Sequence, residues 1–298
     1  MNRHLALIIV GLAGAMWASS GVAVQDFFAH SNKSAMDLTN IRMISAGVLL
    51  LIITALHGRL KQSLRILKKH RRLWLDTAFY GIAGIVLMQF TYFKAISIGG
   101  AAVTTVITYA CPAMVVIFDS LYYRQLPHRS EVLAVIVAMT GVFLLVTGGN
   151  FDKLLVPIDC VLWSLASGAF FAFSAIYPKH LFAKKVNPYF LTSVSMLIGG
   201  LFSLLLVDEI NWRPFFEFDV IFDVGWIIII GTVLPFLMFN AGLIYLTPEE
   251  ASITVTIEPV ASVIISYFIF GTTFGLIESI GILLVLTAII APIFIDLN

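Results

Sequence analysis

The stretch ASITVTIEPVASVIISYFIFGTTF, residues 251–274, decides how the rest of the chain is read. It is an apolar run of bilayer-spanning length whose only charged residue, Glu258, lies near its middle and is followed directly by Pro259. A lone carboxylate at bilayer depth costs about 2.5–3.5 kcal/mol on insertion scales, so it needs a partner, a proton or a water-filled cavity. The proline removes a backbone donor and, in a continuous helix, frees the carbonyl of Val255. Such a break is tolerated at membrane depth only where protein or a cavity supplies the missing bond. Two unfavourable features at adjacent positions mark a candidate site.

The chain around this stretch is built the same way. Its 298 residues are 60% hydrophobic and only 12% charged, with a mean hydropathy of +0.99. Soluble domains carry about 25% charge, so the composition predicts an all-α polytopic membrane protein. With about 20 residues needed per crossing, ten segments are drawn: Leu5–Phe28, Leu38–Leu56, Leu73–Ala95, Ala101–Tyr123, Val132–Thr147, Ile158–Phe182, Tyr189–Val207, Val224–Tyr245, Ala251–Phe270 and Phe274–Ile295. Arg3 and His4 before the first run resemble a secretion signal, but that run exceeds the roughly 7–15 apolar residues of one. It is read as an uncleaved first helix. The two cysteines, Cys111 and Cys160, fall in or at the edge of apolar segments. They imply buried thiols, with no disulfide framework, metal site or cofactor.

Charge placement predicts the orientation. With the N-terminus inside, the inner loops hold 13 of the 18 Lys and Arg: Arg3, the seven between His57 and Arg72, then Arg124, Arg129, Lys179, Lys184 and Lys185. The positive-inside rule then places both termini in the cytoplasm of a multi-pass cell-membrane protein. The basic stretch His57–Arg72 is expected to be an orientation signal carrying a lipid-facing surface helix, with no role in nucleic-acid binding.

Placing Pro112 on Pro259 gives an ungapped offset of 147 that also sets Gly84 on Gly231, Leu87 on Leu234, Ala134 on Gly281 and Gly141 on Ala288. The first and sixth segments match as well, with Gly14 on Gly168, Ala18 on Ala172 and Ser20 on Ser174. Two halves follow, residues 1–150 and 151–298, each of five helices. An odd number of crossings per half inverts one repeat against the other, and that geometry puts a binding site at the midplane, beside interrupted helices in corresponding positions. Here those are the fourth and ninth.

These residues resemble the ten-helix drug/metabolite transporters with two EamA-like repeats. The resemblance rests on Trp17-Ala18-Ser19-Ser20-Gly21 and Phe171-Ala172-Phe173-Ser174 at the start of each half, on Arg42, and on Tyr92-Phe93-Lys94-Ala95-Ile96. Pro112 with Gly141 and the tract Glu258-Pro259-Val260-Ala261 complete it. Two departures stand out. The acidic residue often found after the fourth and ninth helices is replaced by Gln125 and Thr272, and Arg42 has no basic counterpart near Val194 or Ser195.

The candidate chemistry is intramembrane. Ala251, Thr254, Glu258, Ala261 and Ser262 recur at helical spacing as one small, polar face, and Thr104, Thr108 and Cys111 are its expected partners on the fourth helix. Glu258 reads as a coupling-proton carrier or a counter-ion to a substrate ammonium, or else as a structural carboxylate bonded to a neighbouring helix. Pro112 and Pro259 read as hinges or as gentle kinks. Trp17, Tyr92, Tyr109, Trp163 and Phe239 lie on helices expected to face the centre, and Ser20 and Asn240 complete the substrate-binding candidates. Arg42 is expected to snorkel toward the outer surface or to pair with Asp37, the alternative being contact with an anionic substrate.

The resemblance implies a secondary transporter that exports or exchanges a small metabolite such as an amino acid, with protons and lipid as its other partners; a multidrug or nucleotide-sugar-type carrier is the alternative within the same fold. No Gly-rich phosphate-binding loop ending in Lys-Ser/Thr occurs, so ATP coupling within the chain is not expected. An intramembrane enzyme is disfavoured by the lack of His-Glu-x-x-His and Gly-x-Ser-x-Gly motifs. A passive channel is the remaining class.

Overall fold

The computed structural model describes residues 2–58, 60–69, 72–110, 114, 126, 129–150, 154–178, 181, 183–207, 212–242, 245–246 and 254–295. Polar caps set where the apolar helices begin. Asn2 accepts from the Leu5 amide to start α1 (Arg3–His30). Ser34 and Asp37 form a reciprocal capping box at the start of α2 (Ala35–Leu56), satisfying two amides that a helix start leaves open. A short amphipathic helix, α3 (Leu60–Lys69), precedes the third span, which runs as α4 (Arg72–Phe79), a π-helical segment (Tyr80–Val86) and α5 (Leu87–Gly99). The first half continues with α6 (Ala101–Thr108) and α7 (Arg129–Thr147).

The second half repeats the plan. It comprises α8 (Ile158–Ile176), α9 (Pro188–Ser203), α10 (Phe218–Ile228) with a π-helical segment (Ile229–Val233) and α11 (Leu234–Gly242), then α12 (Ile257–Phe270) and α13 (Leu276–Ile295). Asn187 caps α9 ahead of Pro188, and Gly271, at φ +65°, ends α12 in the left-handed conformation that glycine adopts without a Cβ clash. Five spans are long and apolar enough to cross a bilayer by themselves, and four shorter apolar helices, Val132–Thr147, Ile158–Ser174, Ile257–Phe270 and Leu276–Ala288, stand at predicted positions. No strand occurs among the described residues. The outward faces are apolar, with Ile8 59%, Phe222 70% and Phe268 78% exposed, whereas buried positions hold many Ser and Thr. Lipid outside and hydrogen-bonded hydroxyls between helices account for that distribution.

The helix contacts follow an approximate two-fold. The first span packs on the eighth and ninth, α10–α11 and α12, while the sixth, α8, packs on the third and fourth, α5 and α6. The second pairs with the seventh (α2 with α9) and the fifth with the tenth (α7 with α13). Glycines permit the closest crossings: a Cβ on Gly141 would stand 2.6 Å from the carbonyl oxygen of Gly281, and one on Gly281 would stand 2.6 Å from that of Gly141. The chain is therefore a polytopic all-α membrane protein of two inverted five-helix repeats, with each repeat's first helix seated in the other repeat.

Three expectations are corrected. α3 turns its apolar edge to the protein, with Leu67 fully buried in a cluster that includes Leu73, Leu181 and Phe190, because that end of the bundle offers an apolar surface to cover. The sixth span stops at Ile176: Tyr177 still has helical angles, φ −58° and ψ −42°, but Pro178 after it has no amide proton with which to continue the ladder. The eighth begins at Phe218, six residues earlier than drawn, with Asp219 in its first turn where the helix dipole favours negative charge.

Candidate functional site

The helix that carries Glu258 is interrupted before it reaches the proline. Thr254 and Val255 are helical, Thr256 is a turn, and α12 starts at Ile257. Glu258 and Pro259 thus occupy a first turn, where a missing amide proton removes no hydrogen bond and a carboxylate faces the positive end of the helix dipole. This corrects the expectation that Pro259 breaks a continuous helix. The matching interruption exists in the first repeat: α6 ends at Thr108 and Tyr109–Ala110 form a turn, with Tyr109 the repeat-mate of Thr256 at the offset of 147. Pro112 and Cys111 lie outside the described residues, as does Ala251.

The two interruptions meet. The Tyr109 hydroxyl donates to Glu258 Oε2 at 2.7 Å, and the Val255 carbonyl lies 3.5 Å from the same hydroxyl. A phenol has one proton, and the shorter, charge-assisted contact takes it. Gly14 on α1 allows the approach that seats this turn: a Cβ there would fall 2.8 Å from Ile257 and 3.2 Å from the Val255 carbonyl.

A second polar chain runs beside the first. Thr105 donates to the Ala101 carbonyl at 2.7 Å, which uses its only proton, so the Tyr92 hydroxyl at 2.6 Å and the Ser262 hydroxyl at 3.4 Å both donate to it. The fourth helix therefore presents Thr105 and Tyr109 to the ninth. Thr104 and Thr108, expected in that role, face the sixth helix, where Thr104 meets Cys160 at 3.7 Å and Thr108 donates to the Ser164 carbonyl at 3.3 Å. Cys160 itself is fully buried, as expected.

Arg42 departs most from its expected place. Eight residues into α2 from the Ser34 cap, about 12 Å along the helix at 1.5 Å per residue, it is 4% exposed. Nε donates to Thr232 Oγ1 at 2.6 Å, Nη1 to Gln89 Oε1 at 2.8 Å and Nη2 to the Gly231 carbonyl at 2.9 Å. The guanidinium also lies 5.1 Å from the centre of the Phe93 ring. It neither snorkels nor pairs with Asp37, whose carboxylate is engaged in the Ser34 capping box. The reason is local: Pro235, four residues after Gly231, has no amide proton to give the Gly231 carbonyl, and a π-helical turn of the eighth span, a feature that recurs at functional sites, lies at the same point. The first repeat carries a π-helical segment around Gly84, the position equivalent to Gly231. Arg42, Tyr92 and Glu258 lie within electrostatic reach of one another.

The other candidates distribute around this centre. Ser20 is buried against Gly231. Trp17 packs on Phe236 and Phe239 with ring centroids 5.5 and 5.7 Å apart, and Trp163 packs on Phe90 at 5.6 Å. The Thr254 methyl lies against Gly11, and the Asn240 amide donates to the Phe236 carbonyl of its own helix at 2.7 Å, away from the Glu258 cluster. Sequence reasoning missed Gln89, Thr105 and Thr232. Outside those candidates, the Gln25 side chain accepts from the Ala101 amide at 2.7 Å and so caps α6.

The model of the EamA-like transporter family matches twice, over residues 4–147 and 159–293. The chain belongs to the EamA-like transporter family. It is 28% identical over 284 residues to YicL, an uncharacterized inner membrane transporter of Salmonella typhimurium, covering 95% of this chain and 93% of the relative. It is 22% identical to YxxF, an uncharacterized transporter of Bacillus subtilis, covering 87% and 81%. A solved crystal structure aligns over 99% of this chain and 98% of its own length with a TM-score of 0.66 at 16% identity, a likeness of fold. Membership in the family makes this chain a membrane transporter.

Proposed function

We propose that this transporter is a secondary carrier that exports or exchanges a small metabolite such as an amino acid, by alternating access of the two repeats around the Glu258 site, with Glu258 as the proton carrier. The observation that carries the reading is the Tyr109–Glu258 bond, which joins the interrupted helices of opposite repeats at 2.7 Å. A carboxylate there can be ionised or protonated according to which side it faces, and separating the repeats breaks the bond that holds it. Inverted-repeat carriers place substrate and coupling-ion sites at such interrupted helices. Binding is asymmetric in this reading, because the matched position in the first repeat is Cys111. The site is placed in the cell membrane with both termini cytoplasmic, following the distribution of Lys and Arg.

The test is counterflow in proteoliposomes preloaded with unlabelled amino acids and given radiolabelled ones at several pH values. Saturable exchange whose rate follows pH in the wild type, and loses that dependence in Glu258→Gln, is expected. Equal rates and equal pH profiles for the two proteins would remove Glu258 from coupling. Linear, unsaturable flux would mark a channel.

A further inference from the structure

The two ends of the bundle carry related junctions, each between the first helix of one repeat and the third span of the other. At the offset of 147, Asp76 and Phe79 on α4 fall on Asp223 and Trp226 on α10. At the register that sets Gly14 on Gly168, Ser19 and Ala23 on α1 fall on Phe173 and Tyr177. The equivalent positions meet in both places. The Trp226 indole donates to Ser19 Oγ at 3.0 Å, where the Phe79 ring stands edge-on to Phe173 with centroids 5.6 Å apart. The two acids differ in what they meet. The Tyr177 hydroxyl donates to Asp76 Oδ1 at 3.4 Å, a bond that an ionised carboxylate accepts. Asp223 is instead in side-chain hydrogen-bond contact with Asp26 of α1. A carboxylate only accepts, so this contact is a bond when one proton lies between the pair and a repulsion when both are ionised. Asp223 Oδ2 is correspondingly a buried oxygen with no donor among the described residues. His30 Nδ1 lies 3.6 Å from Asp26 Oδ2 and can add a positive charge beside the pair. The other charged groups on α10 and on the elements packed against it are Glu217 and Asp219 at its start, Arg213 in the preceding turn, and Asp37 and Arg42 on α2. Asp37 is engaged by Ser34 and Arg42 by the Gly231 turn, and the charges that act on Asp223 are those of Asp26 and His30.

We infer that Asp26 and Asp223 form a proton-operated latch across the α1–α10 junction: one shared proton holds the two repeats together at that end, and its loss drives them apart. Asp26, with 40% of its side chain exposed, passes the proton to and from water. His30 acts in the same sense. In acid, one carboxylate, one carboxylic acid and one imidazolium sum to zero, whereas in alkali two negative charges face each other. The Asp76–Tyr177 junction at the opposite end has a phenol in place of the second acid, so it does not share this response. In the orientation proposed above the latch lies on the outer side, and external acid holds the transporter shut toward the outside. The latch is separate from the Glu258 site and rests on the alternating-access reading only for what opening this end accomplishes.

Hydrogen–deuterium exchange of the purified protein tests it at about pH 5 and about pH 8, the interval in which histidine ordinarily changes charge, with rates corrected for the intrinsic pH dependence of amide exchange. In the wild type, segments 19–30 and 217–228 are expected to exchange about tenfold or more faster at the higher pH, the size of one hydrogen bond to a charged group, while segments 72–80 and 170–177 show no such rise. Asp223→Asn gives Asp26 a permanent donor and should keep the first two segments slow at both pH values. Where that variant does not fold, Asp26→Asn, which supplies the same donor from the other side, decides. Glu258→Gln should retain the wild-type response. Equal corrected rates in the wild type, or an undiminished response in the Asn variant, overturns the latch. A response kept in the Asn variant and lost in Glu258→Gln also overturns it, assigns the opening to Glu258 and leaves the carrier reading standing. A response that depends on Asp223 in a protein without counterflow supports the latch and removes the carrier reading alone.

Discussion

The bond between Tyr109 and Glu258 makes a quantitative prediction for Tyr109→Phe. The tyrosine is 9% exposed and its ring packs 6.3 Å from Phe171, so phenylalanine fills the same volume and deletes one hydroxyl. A neutral hydrogen bond contributes about 0.5–1.5 kcal/mol and one to a charged group about 1.5–3 kcal/mol. Interhelical polar contacts in membranes reach about 1.7 kcal/mol in double-mutant cycles. At 2.7 Å the contact has the usual length of an O–H···O bond, which places the expected coupling between Tyr109→Phe and Glu258→Ala at about 1–1.7 kcal/mol. Reversible unfolding in mixed detergent micelles measures it. A second cycle with Glu258→Gln, which keeps an acceptor and removes the charge, gives the ionic share. A coupling below about 0.5 kcal/mol, the level at which independent sites add, would refute the claim that this bond ties the repeats together.

Further outcomes follow from the same geometry. Because Pro259 sits in the first turn of α12, Pro259→Ala should change stability by less than about 1 kcal/mol in the same unfolding assay; a gain near 3 kcal/mol would mean the proline interrupts a helix interior. Gly231→Ala drives a methyl into the Ser20 side chain and should cost about 1–3 kcal/mol, while Gly225→Ala on the same span, with nothing within 4 Å, should be neutral or slightly stabilising. Gln25→Ala removes the acceptor for the Ala101 amide and should cost about 0.5–2 kcal/mol, with amide exchange at Ala101 accelerated.

The fold was readable because two signals are strong at the level of residues: apolar runs of bilayer length, and a constant offset that pairs Gly84 with Gly231 and Pro112 with Pro259. The interruption of the ninth helix was also readable near Glu258-Pro259, though its position was not. A turn at Thr256 relieves the proline in advance, and no side-chain pattern distinguishes that from a kink at the proline itself. The phase of the fourth helix was out of reach for a related reason. Thr104 and Thr105 are both fully buried, so the helix carries no apolar outer face there to tell which threonine turns toward the ninth. Arg42 was misplaced because snorkelling depends only on depth, whereas its observed position depends on the Gly231 carbonyl, left without a helical donor by Pro235, in a helix 189 residues away in sequence. Which helix presents such a carbonyl to Arg42 follows from packing and has no local sequence signature.

The most direct test of the account is concentrative uptake driven by an imposed pH gradient in proteoliposomes, measured beside counterflow for the wild type and Glu258→Gln. The wild type is expected to accumulate labelled amino acid above equilibrium when the gradient is present, and Glu258→Gln to exchange substrate while accumulating none. Gradient-driven accumulation by Glu258→Gln equal to that of the wild type would contradict a proton-carrying role for the carboxylate at the centre of the fold.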